Sequence, residues 1–307
     1  MNAKGIKRLA DQAIGLRQAA ILRKAQSLAY QALSPIDALA RTITQRSDYP
    51  PLHLRRYVGP LRTFEMSGAE FLVYLKLLCG IRPEHSILDI GCGSGLVAIQ
   101  LLDYVRRPGR YVGIDIHKPS IRWCQRHLTR RNDAFEFIAI DVANGQYNPK
   151  APTRADQYAL PFPNGSFDLV VVKSVFTHMK PEEVDNYFKE IARVMSAAGQ
   201  CLATFFLLHD RQHELAAQGR NQLDFAYGNR IWRYVYRSSP ESAIGYDRAY
   251  IMELMDKHGL MLRQPIYWGT WSGIADGLCF QDMAVICKKD GPISPGTRGT
   301  VFSGRPL

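Results

Sequence analysis

From about Leu52 onward, apolar runs of strand length alternate with stretches of helical length. The pattern predicts strands over residues 86–90, 111–115, 135–140, 167–172 and 200–207, with helices over 96–105, 119–130 and 181–195 between them. These strands are mostly apolar, rich in Val, Ile, Leu and Phe, rather than strictly alternating apolar and polar. Both of their faces are therefore buried, as in a parallel sheet covered by helices on each side. A helix over 248–258 then stops at Gly259, a residue suited to the left-handed C-cap. Strands over 261–268 and 279–288 follow with no helix between them, so they pair antiparallel. The expected fold class is α/β: a doubly wound, seven-stranded, mostly parallel sheet whose last strand is antiparallel.

The first fifty residues read differently. Residues 5–33 lack proline and are rich in Ala, Leu, Gln and Arg, which favour helix. Ile14, Ile21 and Leu28 recur every seven residues, giving one apolar stripe on a mostly basic helix. Ser34-Pro35 marks a stop and a restart, with Ser34 as cap, Pro35 at the first helical position and Asp37 in the first turn. The second helix runs to about Gln45, and Tyr49-Pro50-Pro51 closes the arm. The expected organisation is a helical arm over 1–50, one domain over 51–289 with an insertion near 208–247, and a Gly/Pro/Ser-rich disordered tail over 290–307.

Charge adds to this picture. The net charge is +11, and the first 62 residues hold eleven Lys or Arg against three Asp. Such an arm suits an anionic membrane surface, an acidic partner, a nucleic acid or a second subunit, or is simply a solvated helix. No apolar run approaches membrane-spanning length, and Lys4, Lys7, Arg8 and Asp11 interrupt the N-terminus early. The expectation is a cytoplasmic protein that contacts a membrane only peripherally. The six cysteines include no CxxC pair, and Cys124 and His127 have no second pair to complete a ligand set, so neither a disulfide framework nor a metal site is expected.

The chemistry begins where the first strand ends. Leu88-Asp89-Ile90-Gly91-Cys92-Gly93-Ser94-Gly95 is a strand running into glycines and then a helix. Such a turn lets a ligand approach the backbone and meet free N–H groups at the helix start. Asp115 ends the second strand, where an acid binds the two hydroxyls of a ribose. The spacing is DxGxGxG rather than the GxGxxG of dinucleotide sites, and its leading acid suits a cationic amino-acid group better than a pyrophosphate.

This arrangement resembles the class I S-adenosylmethionine-dependent methyltransferases, over about residues 60–290. The resemblance implies a Rossmann-like sheet and S-adenosylmethionine as cofactor. It implies that Asp89, Gly91, Cys92, Gly93 and Gly95 lie at the cofactor's amino-acid end and Asp115 with Ile116 at its ribose. Asp141 and Val142 then fall at the adenine, with Asp156 a weaker rival, and Lys173 and Ser174, after the fourth strand, also bind the cofactor. Ser174-Val175-Phe176-Thr177-His178-Met179 and Glu190-Ile191-Ala192-Arg193-Val194 are similar to segments of bacterial enzymes that methylate sugars, lipids or secondary metabolites. Ala197-Ala198-Gly199 departs from the Pro-Gly-Gly that relatives often carry.

The acceptor must lie at the carboxyl ends of the strands. His178, after the fourth strand, is the first candidate for a general base, although a histidine there can equally cap or pack the next helix. His209, after the fifth strand, is the second candidate. Trp232, Tyr236, Trp268 and Trp271 are candidate stacking surfaces for a sugar or other ring, or the rings of a lid packed inward. Residues 173–176 carry no Pro-Pro-aromatic turn for base amines, no Pro-Cys dipeptide exists for carbon methylation of cytosine, and Glu182-Glu183 look like first-turn helix acids. Nucleic acid is therefore not the expected partner. The expected reaction is O-methylation of a sugar hydroxyl in a glycan or glycoconjugate. The runner-up is N- or O-methylation of a secondary metabolite or lipid headgroup. A non-catalytic module keeping the cofactor fold, and RNA methylation, complete the alternatives.

Overall fold

The first strand of the pattern becomes an interior strand of the sheet. The computed structural model of the chain describes residues 28–30, 32–58, 63–145 and 147–292. In chain order it contains α1 (Ser34–Ile43), α2 (Leu52–Arg55), α3 (Phe64–Cys79), β1 (Ser86–Ile90), α4 (Leu96–Leu101), β2 (Arg110–Asp115), α5 (Lys118–His127) and β3 (Phe135–Ala139). Then come β4 (Phe167–Val172), α6 (Pro181–Val194), β5 (Met195–Phe205), β6 (Leu207–Leu208) and α7 (Asp210–Ala217). The chain continues through β7 (Tyr227–Gly228), β8 (Trp232–Tyr234), β9 (Ile244–Asp247), α8 (Arg248–Lys257), β10 (Leu260–Leu262) and β11 (Asp282–Lys288).

The seven-stranded sheet has the order β10-β11-β5-β4-β1-β2-β3, with β11 antiparallel to both of its neighbours. The neighbours of β1 are β2 and β4, both parallel to it. Successive side chains of a strand point to opposite faces, and both faces are apolar here. Leu88 and Ile90 join one buried cluster with Phe188 and Ile191 of α6, whereas Ile87 joins another with Phe71 and Leu75 of α3. The sheet is thus the middle of three layers, as the mostly apolar strands predict.

Several boundaries differ from the expectation. The strand expected over 261–268 stops at Leu262. Pro265 has no N–H to give a ladder, and only Tyr267 regains contact, through an isolated bridge to Met283. The strand expected over 200–207 starts at Met195 and is interrupted at Phe206. There the chain leaves the main sheet: the carbonyl of Phe206 accepts from Tyr246 N, and β6 enters a second, four-stranded sheet of order β6-β9-β8-β7. This small sheet is what the insertion near 208–247 builds.

Ser34 is not a cap. The backbone N–H groups of Leu33 and Asp37 already donate to Ala29 and Leu33, so the helical turn is continuous there. The Ser34 hydroxyl donates back to the carbonyl of Tyr30, at 3.2 Å. Ile14 and Ile21 of the apolar stripe, and most of the expected tail, lie outside the described residues. Among the described residues, no helix is long and apolar enough to cross a membrane.

α1 is held by its charged side. Asp37 is buried and accepts from Arg41 Nε at 2.9 Å, from the backbone N of Leu52 at 3.1 Å and from the Arg55 guanidinium. This cluster pins α2 and the residues after it. Removing one partner of a buried ion pair leaves the others uncompensated. Asp37→Ala is expected to lower the unfolding free energy by about 3 kcal/mol. Urea denaturation checks this, and a loss under about 0.5 kcal/mol would mean that the cluster behaves as a surface pair.

Candidate active site

The turn after β1 is folded by the end of β2. Gly91 N and Cys92 N both donate to the carbonyl of Ile114, at 2.8 and 3.1 Å. Asp115, the last residue of β2, accepts from Gly93 N at 2.8 Å and from His117 N at 2.6 Å. One carboxylate therefore clasps the loop after β1 to the loop after β2. Burial raises its pKa, and the N–H groups of His117 and Gly93 oppose the shift. Gly93 needs to be glycine: its φ is +54°, and a Cβ there would come within 2.1 Å of Val58 Cγ1.

Val58 belongs to the segment that follows α2, and this segment covers the turn. The carbonyl of Leu54 accepts from Ser94 Oγ at 3.5 Å, and the Tyr57 ring lies over His117 with centroids 4.2 Å apart. The end of β4 closes another side. Ser174 has φ +56°, an uncommon conformation for a non-glycine residue. It is held there by Thr204, whose hydroxyl accepts its N–H at 2.8 Å, and by Gln281, which accepts its Oγ at 2.9 Å. Lys173 places its ammonium 5.7 Å from the centre of the Phe71 ring. Burial lowers its pKa, against the pull of nearby Cys279, Asp89 and Glu70.

Four residues beyond Ser174 in the chain stands His178. Its Nδ1 lies 2.7 Å from the carbonyl oxygen of Glu241, and its own carbonyl accepts from Asn144 Nδ2 at 3.1 Å. Tyr147 meets the imidazole edge-to-face at 5.8 Å, and burial, Asp115 and Tyr57 together raise the Tyr147 pKa. Asn144 and Glu241 also wall an open cavity of about 310 Å³ whose rim carries Arg154, Asp156 and Lys180. Glu241 comes from the turn before β9, so the insertion contributes directly to the setting of His178.

His209 is positioned separately. Its ring stacks on Trp268 at 4.2 Å, and its buried Nε2 has no hydrogen-bond partner. Burial, with Arg248 and His213 assisting, pushes its pKa down to about 4. No ring contact or hydrogen bond joins it to His178 among the described residues.

Other expected site residues divide clearly. Trp271 is 0% exposed and donates its indole N–H to Asp282 at 2.9 Å, so it is a core residue of the small sheet rather than a stacking surface. The Cys92 and Val142 side chains are buried in the apolar clusters. Asp89 is also enclosed beneath the turn, accepting the Tyr111 hydroxyl, and burial pushes its pKa up to about 7. Asp141 is exposed and engaged by Lys118 at 3.2 Å and Asn148 at 3.1 Å, while Asp156 pairs with Arg154. Ile116, Trp232 and Trp268 are half-buried, and Tyr236 is exposed. Sequence reasoning missed Tyr57, Val58, His117, Tyr147 and Glu241. Only Tyr147 and His117 had a signal, since both follow strands whose carboxyl ends face the ligand side.

Residues 88–203, from β1 into β5, match the family model of a methyltransferase domain. These residues thus carry a methyltransferase domain, and the chain is similar to the class I S-adenosylmethionine-dependent methyltransferases. A fatty-acid O-methyltransferase of Mycolicibacterium smegmatis is 33% identical over 120 residues, covering 38% of this chain and 36% of that protein. A sterol 24-C-methyltransferase of Neurospora crassa is 24% identical over 220 residues, covering 70% and 52%. This chain thus spans between about a third and a half of the length of these curated relatives. A solved Nostoc punctiforme protein, named as a candidate O-methyltransferase, shares the fold with a TM-score of 0.51 at 13% identity, covering 78% of this chain and 61% of that one.

The residues present fit S-adenosylmethionine, the cofactor of this family. The turn is bare of side chains where a Cβ would collide, a carboxylate ends β2, and the half-buried Lys173 lies just after β4. Gly93→Val is therefore expected to abolish binding of S-adenosylhomocysteine in calorimetry; unchanged affinity would remove the turn from the site. A second expectation concerns acid stability. Between pH 6.5 and about 4 the unfolded chain takes up a proton that folded His209 refuses. Native stability thus falls as pH drops through that window. His209→Gln is expected to flatten this part of the denaturation profile.

Proposed function

We propose that this protein transfers the methyl group of S-adenosylmethionine to a hydroxyl oxygen, with His178 as general base. One observation carries the reading. A backbone carbonyl can only accept, so the 2.7 Å contact with Glu241 fixes the proton of the imidazole on Nδ1. Nε2 then presents a lone pair, the tautomer a base requires. Burial lowers the His178 pKa, keeping the ring neutral at neutral pH.

Gly91, Gly93 and Gly95 hold the amino-acid end of the cofactor by backbone approach, Asp115 with Ile116 holds the ribose, and Asp141 lies at the adenine. Bound S-adenosylmethionine supplies an electrophilic methyl group on a positively charged sulfur. His178 takes the hydroxyl proton onto Nε2 as the acceptor oxygen becomes nucleophilic. Ser174, Val58 and Tyr57 keep the surroundings tight, which favours alignment over hydrolysis. The acceptor class we favour is a sugar hydroxyl on a glycoconjugate, supported by the half-buried rings of Trp232 and Trp268 on the segments after β6 and β10. A second reading, a fatty-acid or other lipid carboxylate, is favoured by the name of the 33% identical relative. A carboxylate is already ionised and needs no base, so the two readings separate on one variant.

Release of S-adenosylhomocysteine in the presence of methyl glycosides, glycolipids and fatty acids measures the activity. With a hydroxyl acceptor, His178→Ala is expected to lower kcat by about 10²–10⁴-fold while cofactor affinity holds. The rate is expected to be level at neutral pH and to fall on the acid side, below the ordinary histidine value of 6.5. Near-normal turnover of the variant with a fatty acid would establish the carboxylate reading instead.

A further inference from the structure

Helix α1 is inside out. Ile36, Leu39 and Ile43 are spaced i, i+3 and i+7 and share one face, yet they are 66%, 62% and 72% exposed. The polar face is the buried one. Asp37 points inward, accepting from the Arg55 guanidinium and from the backbone N of Leu52, while Arg41 donates to Asp37 and to the carbonyl of Tyr49 at 2.8 Å. The helix cannot roll to hide its apolar side without leaving buried charges unpaired. Its orientation is therefore fixed, and the apolar face is presented outward.

We propose that this face seats the protein on an anionic lipid surface. An outward apolar stripe on a basic segment is the arrangement that inserts side chains at the headgroup boundary while cationic residues meet anionic lipid. The charge fits that occupant: with Arg41, Arg55 and Asp37 turned inward, the first 62 residues still carry nine Lys or Arg against two Asp and no Glu. Six of those cations against one Asp lie in residues 1–27, directly ahead of the face. The same charge argues against a second copy of this chain, because a two-fold pairing through α1 would set one basic segment against another. A polyanion without apolar groups would leave the stripe in water.

The helix that carries the seat is linked to the cofactor turn through one segment of chain. Asp37 anchors the start of the segment whose later residues, Tyr57 and Val58, cover His117 and Gly93.

The test is co-sedimentation of the full chain with vesicles of equimolar phosphatidylcholine and phosphatidylglycerol, and with vesicles of phosphatidylcholine alone. Binding is expected to the anionic vesicles, weakening as salt rises. Ile36→Ser/Leu39→Ser/Ile43→Ser is expected to weaken it by about tenfold or more, and Leu39→Glu alone to weaken it in the same direction. Affinity for S-adenosylhomocysteine should be unchanged in both variants, which shows that they are folded. Vesicle binding equal to wild type in the folded triple variant would overturn the proposal, as would no binding by the wild type. Light scattering that finds a wild-type dimer and a monomeric triple variant would assign the face to a second copy and overturn it too.

Discussion

Two backbone N–H groups from different loops meet on the carboxylate of Asp115, and the site depends on that meeting. The loop after β1 has only the buried Cys92 side chain to hold its glycines from within, and Asp115 ties it to the loop after β2. Joined through one side chain, they form a single wall. The arrangement carries a cost, since burying a carboxylate is unfavourable and raises its pKa, but charge-assisted bonds to N–H groups are among the stronger hydrogen bonds available. The turn thus owes its shape to a residue more than twenty positions away in sequence.

Asp282 repeats the device at the other side of the sheet. It is fully buried and accepts from Leu207 N, Gly269 N and Trp271 Nε1 at 2.7, 2.8 and 2.9 Å. It lies at the start of β11, where β5 hands over to β6 and the chain passes from one sheet to the other. The insertion is in this way fastened to the main sheet by a polar knot inside an apolar cluster. Through the turn before β9, the insertion also reaches back to the imidazole of His178.

Much of the fold was legible in the sequence because it is written locally. Mostly apolar runs rich in Val and Ile signal buried parallel strands, and a strand leading into glycines signals a ligand turn whatever lies elsewhere. The misreadings have non-local causes. Trp271 sits on a segment that belongs to the ligand side, but an acceptor eleven residues later draws its indole inward. An amphipathic helix reveals that it has two faces, not which one is buried. For α1 the answer is set by Arg55, beyond a proline turn. Tyr57 and Val58 carry no motif, and reach the glycine turn only because the Asp37 cluster lays α2 across it. The overlong strand after residue 260 is the exception, since Pro265 was a local signal for its end.

The contact between His178 and Glu241 is made by main chain on the accepting side. A carbonyl is present at position 241 whichever amino acid is encoded there, so substitutions at that position leave the imidazole proton on Nδ1. Changes of loop length do not have this freedom. One residue inserted or removed before β9 moves the carbonyl, and a ring that has lost its acceptor can hold the proton on either nitrogen. The tautomer of His178 is thus inherited through the spacing of the insertion rather than through its side chains. Drift in composition there is tolerated, while drift in length changes what the imidazole can do.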